Sequence, residues 1–172
     1  MTDHDMLNTI PLLKNIRILL LLLIVGFLFP FPVFGTGVVI NEIAWMGTAV
    51  SPNDEWIELY NPTGNAVGLD GWTLAAHDGT PLILLNGTIA AGGYFLLERT
   101  DDETVPEILA DQIYTGALSN DPGEFLTLKD SAGNTVYEVD GSSEWPAGDN
   151  TTKDTMSRLG SGWITAPATP HA

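Results

Sequence analysis

The chain has 172 residues, with 22 Asp and Glu against 6 Lys and Arg for a formal net charge of -16, and it has no cysteine. Such a field repels phosphate backbones and anionic lipid surfaces, which argues against nucleic acid as an electrostatically driven partner. Disulfides and thiolate metal sites are excluded outright. Asp3 and Asp5 offset Lys14 and Arg17, so the whole acidic excess falls on the remainder, whose only cations are Arg99, Lys129, Lys153 and Arg158.

Lys14 and Arg17 precede ILLLLLIVGFLF, an apolar run of 12 residues from Ile18 to Phe29 that Pro30 and Pro32 interrupt. A basic flank, an apolar stretch of that length and small residues after it form the secretory pattern, with cleavage expected after Gly35. A spanning helix needs about 20 apolar residues, and the stretch to Phe34 gives 17 with two prolines inside. Retention as one N-terminal hydrophobic helix is the other reading. Either way residues 1–35 export the acidic domain formed by residues 36–172 to the outside or the envelope, with contact to a membrane only through that first segment if it stays uncleaved.

Beyond Gly37 the chain offers short alternating or apolar runs separated by glycine, proline, asparagine and aspartate, with almost nothing at a helical period. The expected strands are Val38 to Trp45, Glu55 to Tyr60, Trp72 to Ala76, Leu82 to Leu85, Tyr94 to Glu98, Glu124 to Lys129, Thr135 to Val139, Met156 to Leu159 and Trp163 to Thr165. About 8 to 9 short strands exceed what one half-solvated sheet needs, so two packed sheets are expected. The central one is EWIELYN, Glu55 to Asn61, which the turn cluster NPTGN stops. Its period of two sends Ile57 and Leu59 to the core, and Trp56, Glu58 and Tyr60 to the other face, where Trp56 and Tyr60 should be partly exposed. Asp70-Gly71, Asn86-Gly87, Gly92-Gly93 and Gly133-Asn134 mark tight turns, and Asp130 to Thr135 closes a hairpin. Asp102 to Tyr114 has acids followed by Val105, Ile108 and Leu109, which predicts a loop with a short helix limited by Pro106.

These runs carry a family resemblance. VVINEIAWMGT at Val38 to Thr48, DEWIELYNPTG at Asp54 to Gly64, LDGWTL at Leu69 to Leu74 and IAAGGYFLLER at Ile89 to Arg99 together resemble the bacterial form of the lamin tail domain. GEFLTLKDSAGNTVYEVDG at Gly123 to Gly141, TMSRLGSGW at Thr155 to Trp163 and ATP at Ala168 to Pro170 agree with it. The resemblance implies an immunoglobulin-like β-sandwich and an exported or envelope module with no chemistry of its own. The lamin rod is absent here, so filament assembly and nuclear partners do not carry over.

Several residues invite a function against a structural alternative. Trp45, Trp56, Trp72, Trp145 and Trp163 could stack on sugars beside carboxylates, or could pack in the core, as Trp72 beside its turn suggests. Trp56, Glu58 and Tyr60 are the candidate binding surface. Acidic loops (Asn53, Asp54 and Glu55; Asp101, Asp102 and Glu103; Asp121 and Glu124; Asp149 and Asp154) suit calcium, with Asp101, Asp102 and Glu103 the leading ligands, although none has the EF-hand order. Glu42, Glu55 and Glu58 on neighbouring strands could in principle hydrolyse a polysaccharide or phosphoester. One histidine, His77, cannot build a typical zinc site without cysteine, though carboxylates could help, and no nucleophile elbow occurs. The expected function is therefore non-enzymatic, needing no cofactor: docking of an envelope protein or glycan through strand edges and loops, with a calcium-stabilised adhesion module and a weak hydrolase as the alternatives.

Overall fold

The computed structural model describes residues 37–172, so the signal or N-terminal helix expected over residues 1–35 lies outside the described residues. The described chain is an all-β sandwich of twelve strands without a helix. In chain order they are β1 (Val39–Ala44), β2 (Trp56–Tyr60), β3 (Val67–Gly68), β4 (Thr73–Ala76), β5 (Leu82–Leu84), β6 (Thr88–Ile89), β7 (Tyr94–Arg99), β8 (Gln112–Tyr114), β9 (Phe125–Lys129), β10 (Thr135–Asp140), β11 (Thr155–Leu159) and β12 (Gly162–Ala166). One sheet has the order β12-β11-β1-β2-β7-β8, the second β10-β9-β4-β5, and β3 with β6 forms a small ribbon. Neighbours are antiparallel except β7 and β8, which run parallel.

The helix expected within Asp102 to Tyr114 is absent. Asp102 Oδ1 accepts the Ala110 N–H at 2.6 Å, and buried Glu98 accepts the N–H groups of Thr104 and Val105 at 3.0 and 3.2 Å. Donors spent on carboxylates in this way hold the segment as turns that lead into β8.

Period two places the core where β2 predicts it. Ile57 and Leu59 are fully buried, in one apolar cluster with Ile40, Ile43, Leu74, Leu126 and Leu128, and Trp72 is half-buried against the cluster. β1 reaches the same core only through a bulge. Ile40 lies opposite Leu59 and Glu42 opposite Glu58, so Asn41 is the extra residue. A regular strand would have turned Glu42 inward and Ile43 outward; the bulge reverses that parity. Consequently Ile43 is buried opposite Ile57, while Glu42 shares a face with Glu58.

Turn chemistry fixes the second sheet. Asp130 Oδ1 accepts the N–H groups of Ala132 and Asn134, and Gly133 takes φ +86°, closing the hairpin between β9 and β10. At the other end Trp45 and Trp145 stack with centroids 6.1 Å apart, and the Trp45 indole N–H donates to Ala147 O at 2.9 Å. Gly148 sits so close to this indole that a Cβ would lie 2.4 Å from Trp45 Nε1, and its φ of +95° disfavours any side chain. Replacing Leu59 by Ala removes a fully buried side chain between the sheets and should cost about 2 to 5 kcal/mol. Urea unfolding measures this directly, and an unchanged midpoint would show that the register of β2 is wrong.

Candidate functional site

The polar face of β2 is a roofed surface. Trp56 is 2% exposed and Glu58 is wholly buried, which corrects the expectation of a partly open face; Tyr60 is half-buried. The register explains what surrounds them. Trp56 faces Ala44 and Glu98, Glu58 faces Glu42 and Leu96, and Tyr60 faces Tyr94, with ring centroids 4.8 Å apart. Two distant segments then cover this face. The connection from β7 to β8 crosses at Glu98, and residues 167–172, following β12, cross at Glu42 and Glu58.

Each buried glutamate finds backbone donors on a loop. Glu42 accepts the Thr169 N–H at 3.1 Å and the Thr169 hydroxyl at 2.9 Å, together with a short hydrogen bond from the Thr155 hydroxyl. Glu58 accepts the His171 N–H at 2.6 Å and the Asn41 amide at 2.9 Å. Glu55 accepts the Leu118 N–H at 2.8 Å on one oxygen and the Arg99 guanidinium at 2.9 Å on the other. Glu124 accepts the Ser119 N–H at 2.9 Å, and the Trp145 indole donates to Ser119 O at 2.8 Å. These acids therefore fasten loops to strands. A carboxylate beneath a loop costs less than it would in a dry core because its oxygens are matched.

Burial is the largest effect on the carboxyls of Glu55, Glu58, Glu98 and Glu124. It pushes Glu58 up to about 7, against the His171 N–H and Asn41 amide, while the nearby charges of Glu42 and Asp111 push the same way. Burial also raises Glu55, where the Leu118 N–H and Arg99 oppose it, as well as Glu98 and Glu124.

The other predicted site residues are placed as follows. Asp101, Asp102 and Glu103 are exposed; Asp101 Oδ1 accepts the Glu103 N–H at 3.2 Å, and Asp102 serves Ala110. Among the described residues no three or more His, Asp or Glu side chains gather as a metal-holding group. Glu42 and Glu58 are register neighbours, but Glu55 is engaged with Arg99 and residue 118, so the three carboxylates do not share an open cleft. His77 lies edge-on to Phe125 at 5.9 Å. Trp45 and Trp145 are buried, and Trp163 is half-buried against the core. Sequence reasoning missed Thr169 and His171, whose only local signal was a Thr-Pro-His run near two prolines.

A model of the Lamin Tail Domain family matches residues 35–143. The match takes in β1 to β10 and the floor of the roofed face, whereas β11, β12 and residues 167–172 follow it. No curated protein matches the chain.

The raised carboxylates set the sign of the pH dependence. A carboxyl whose folded value lies above its unfolded one contributes stability below the unfolded value and loses it as pH rises through the folded value. For Glu58 that window runs from the ordinary value of 4.5 to about 7, a loss on the order of 3 kcal/mol. Glu55, Glu98 and Glu124 act in the same direction. The urea midpoint should therefore be higher near the bottom of this window than above its top, and a midpoint that rises with pH across it would contradict these assignments.

Proposed function

The chain belongs to the lamin tail domain family, and from that premise we propose that it is a non-enzymatic, exported docking module of the cell envelope that holds an extended protein segment against the open edge of β12. The observation that carries this reading is the contrast among the four edges of the two main sheets. β10 has an irregular register between Thr135 and Tyr137 and bears exposed Glu138 and Asp140, devices that discourage strand addition. β8 has three residues, and β5 is capped by Gln112, whose amide nitrogen donates to Leu84 O at 2.9 Å while its oxygen accepts the Asn86 N–H at 3.1 Å. That side chain occupies the place a backbone residue of a parallel neighbour would take. Among the described residues, β12 carries none of these protections. Between Leu159 and Pro170 there is no charged residue, in a chain of net charge -16, and Leu159 and Ile164 are 64% and 41% exposed.

An uncharged edge strand with apolar side chains beside it is what strand addition uses: main-chain hydrogen bonds supply affinity and alternate side chains supply choice. The acidic field around it repels anionic partners and favours a neutral or basic segment. Lys14, Arg17 and the apolar run after them support export, and the family's non-catalytic character supports binding rather than turnover. Capture of partners from envelope extract by the full chain tests the reading. Ile164→Lys, on an exposed site, should leave the melting temperature almost unchanged, because such changes stay within about 0.5 kcal/mol. It should weaken capture at least about tenfold, with or without a calcium chelator. Equal capture by the variant, or recovery of glycan alone, would contradict it.

A further inference from the structure

Residues 167–171 cross the outer face of the large sheet with little apolar anchorage. Pro167, Ala168, Thr169 and His171 are exposed, and Pro170 is half-buried. Their hold on the floor beneath consists of the Thr169 N–H and hydroxyl on Glu42 and the His171 N–H on Glu58, with the His171 ring stacked on Tyr94 at 6.2 Å. His171 takes φ +63°, a left-handed conformation that a residue with a Cβ adopts at a cost.

Under this segment two glutamates lie at register positions of adjacent strands, both with no exposed surface. Around Glu58 the packed elements bring carboxylates rather than fixed cations. β1 presents Asn41 and Glu42, the segment before β8 presents Asp111, and the crossing segment presents His171, whose ring is 3.9 Å from Asp111. The charges acting on Glu58 are those of Glu42 and Asp111, both acidic. Arg99 is committed to Glu55, Lys153 donates to Met46 O and Asn150, and Arg158 donates to Gly160 O.

We propose that residues 167–171 are a proton-locked strap, seated across Glu42 and Glu58 while Glu58 carries a proton and lifted from them once Glu58 is ionised. Two like charges on adjacent strands beneath a cover do not both ionise without cost. The donors divide unevenly between them. Glu42 receives the Thr155 hydroxyl and both Thr169 groups, which suits a charge there, whereas Glu58 receives one N–H and one amide, which suits a proton. Ionising Glu58 as well sets it against Glu42 and Asp111 in a place water does not reach. Lifting the strap lets water in and relieves all three. Lifting also uncovers Glu42, Glu58, Tyr60 and Tyr94, so the face presented outward changes with pH while the sandwich beneath it stays folded.

Amide hydrogen exchange on the full chain separates this local opening from global unfolding. After correction for the intrinsic pH dependence of exchange, protection of the Thr169 and His171 amides should fall about tenfold or more from below to above the titration of Glu58, while the Leu59 amide holds its protection. Glu58→Gln should abolish that pH dependence. Flipping the Asn41 amide lets it accept from the new side-chain NH₂ while the glutamine oxygen still receives the His171 N–H, so the strap stays seated. Should that variant fail to fold, the nuclear Overhauser contact between the His171 and Tyr94 rings in the unmodified chain gives the second reading, disappearing in the same pH step. Strap protection that is flat with pH, that falls together with Leu59, or that falls equally in Glu58→Gln would overturn the proposal, as would a ring contact unchanged across the step.

Discussion

A carboxylate taken out of water must find donors, and in this sandwich it finds them on the backbone of loops. Glu42, Glu55, Glu58, Glu98 and Glu124 are buried, and each accepts at least one main-chain N–H from a segment that has no strand partner at that point. The same bond therefore satisfies a buried anion and an orphaned donor together. Removing either side would leave the other unpaired, so the loops around residues 104, 118 and 169 and the strands that carry the acids depend on each other. The apolar core between the sheets holds the strands; the glutamates decide where the chain between them runs.

This constraint explains what could be read from the sequence. β1, β2, β4, β5, β7, β9, β10, β11 and β12 were visible because alternation, β-branched and aromatic residues and flanking turns all agree there. β3 and β6 have two residues each, too short to establish a period, and β8, QIY, lacks the apolar run that marks the equally short β5, LIL. The outer face of β2 was misread for a different reason. A sequence shows the parity of Trp56, Glu58 and Tyr60 but not that the connection from β7 to β8 and residues 167–172 cross this face, the latter through a His171 N–H to Glu58 hydrogen bond between positions 113 apart. A polar parity reads as solvent by default, and only distant segments turned it into a covered surface. The bulge at Asn41, which keeps Glu42 beside Glu58 and out of the core, is likewise invisible in VVINEIAW, where neither strict alternation nor a breaker appears.

Function follows from what these commitments leave free. The acids that could have suggested catalysis are occupied in fastening loops, and the tryptophans at 45, 56 and 145 are packed, so neither set forms an open reacting centre. What remains accessible is surface: a strongly acidic envelope broken by an uncharged edge at β12. The family match ends at residue 143, before β11, β12 and the strap, and takes in β1, β2 and β7, which form the floor that the strap crosses.

Glu55, Glu58, Glu98 and Glu124 are buried under loops, matched to backbone donors and shifted upward by that burial. Carbon-13 titration of the glutamate side-chain carboxyls in the folded full chain tests it most directly. The account predicts that Glu55, Glu58, Glu98 and Glu124 titrate above the ordinary glutamate range, with Glu58 near 7. Ordinary titration of all four, near the reference value of about 4.3, would mean that water reaches them and that the loops are not held as described.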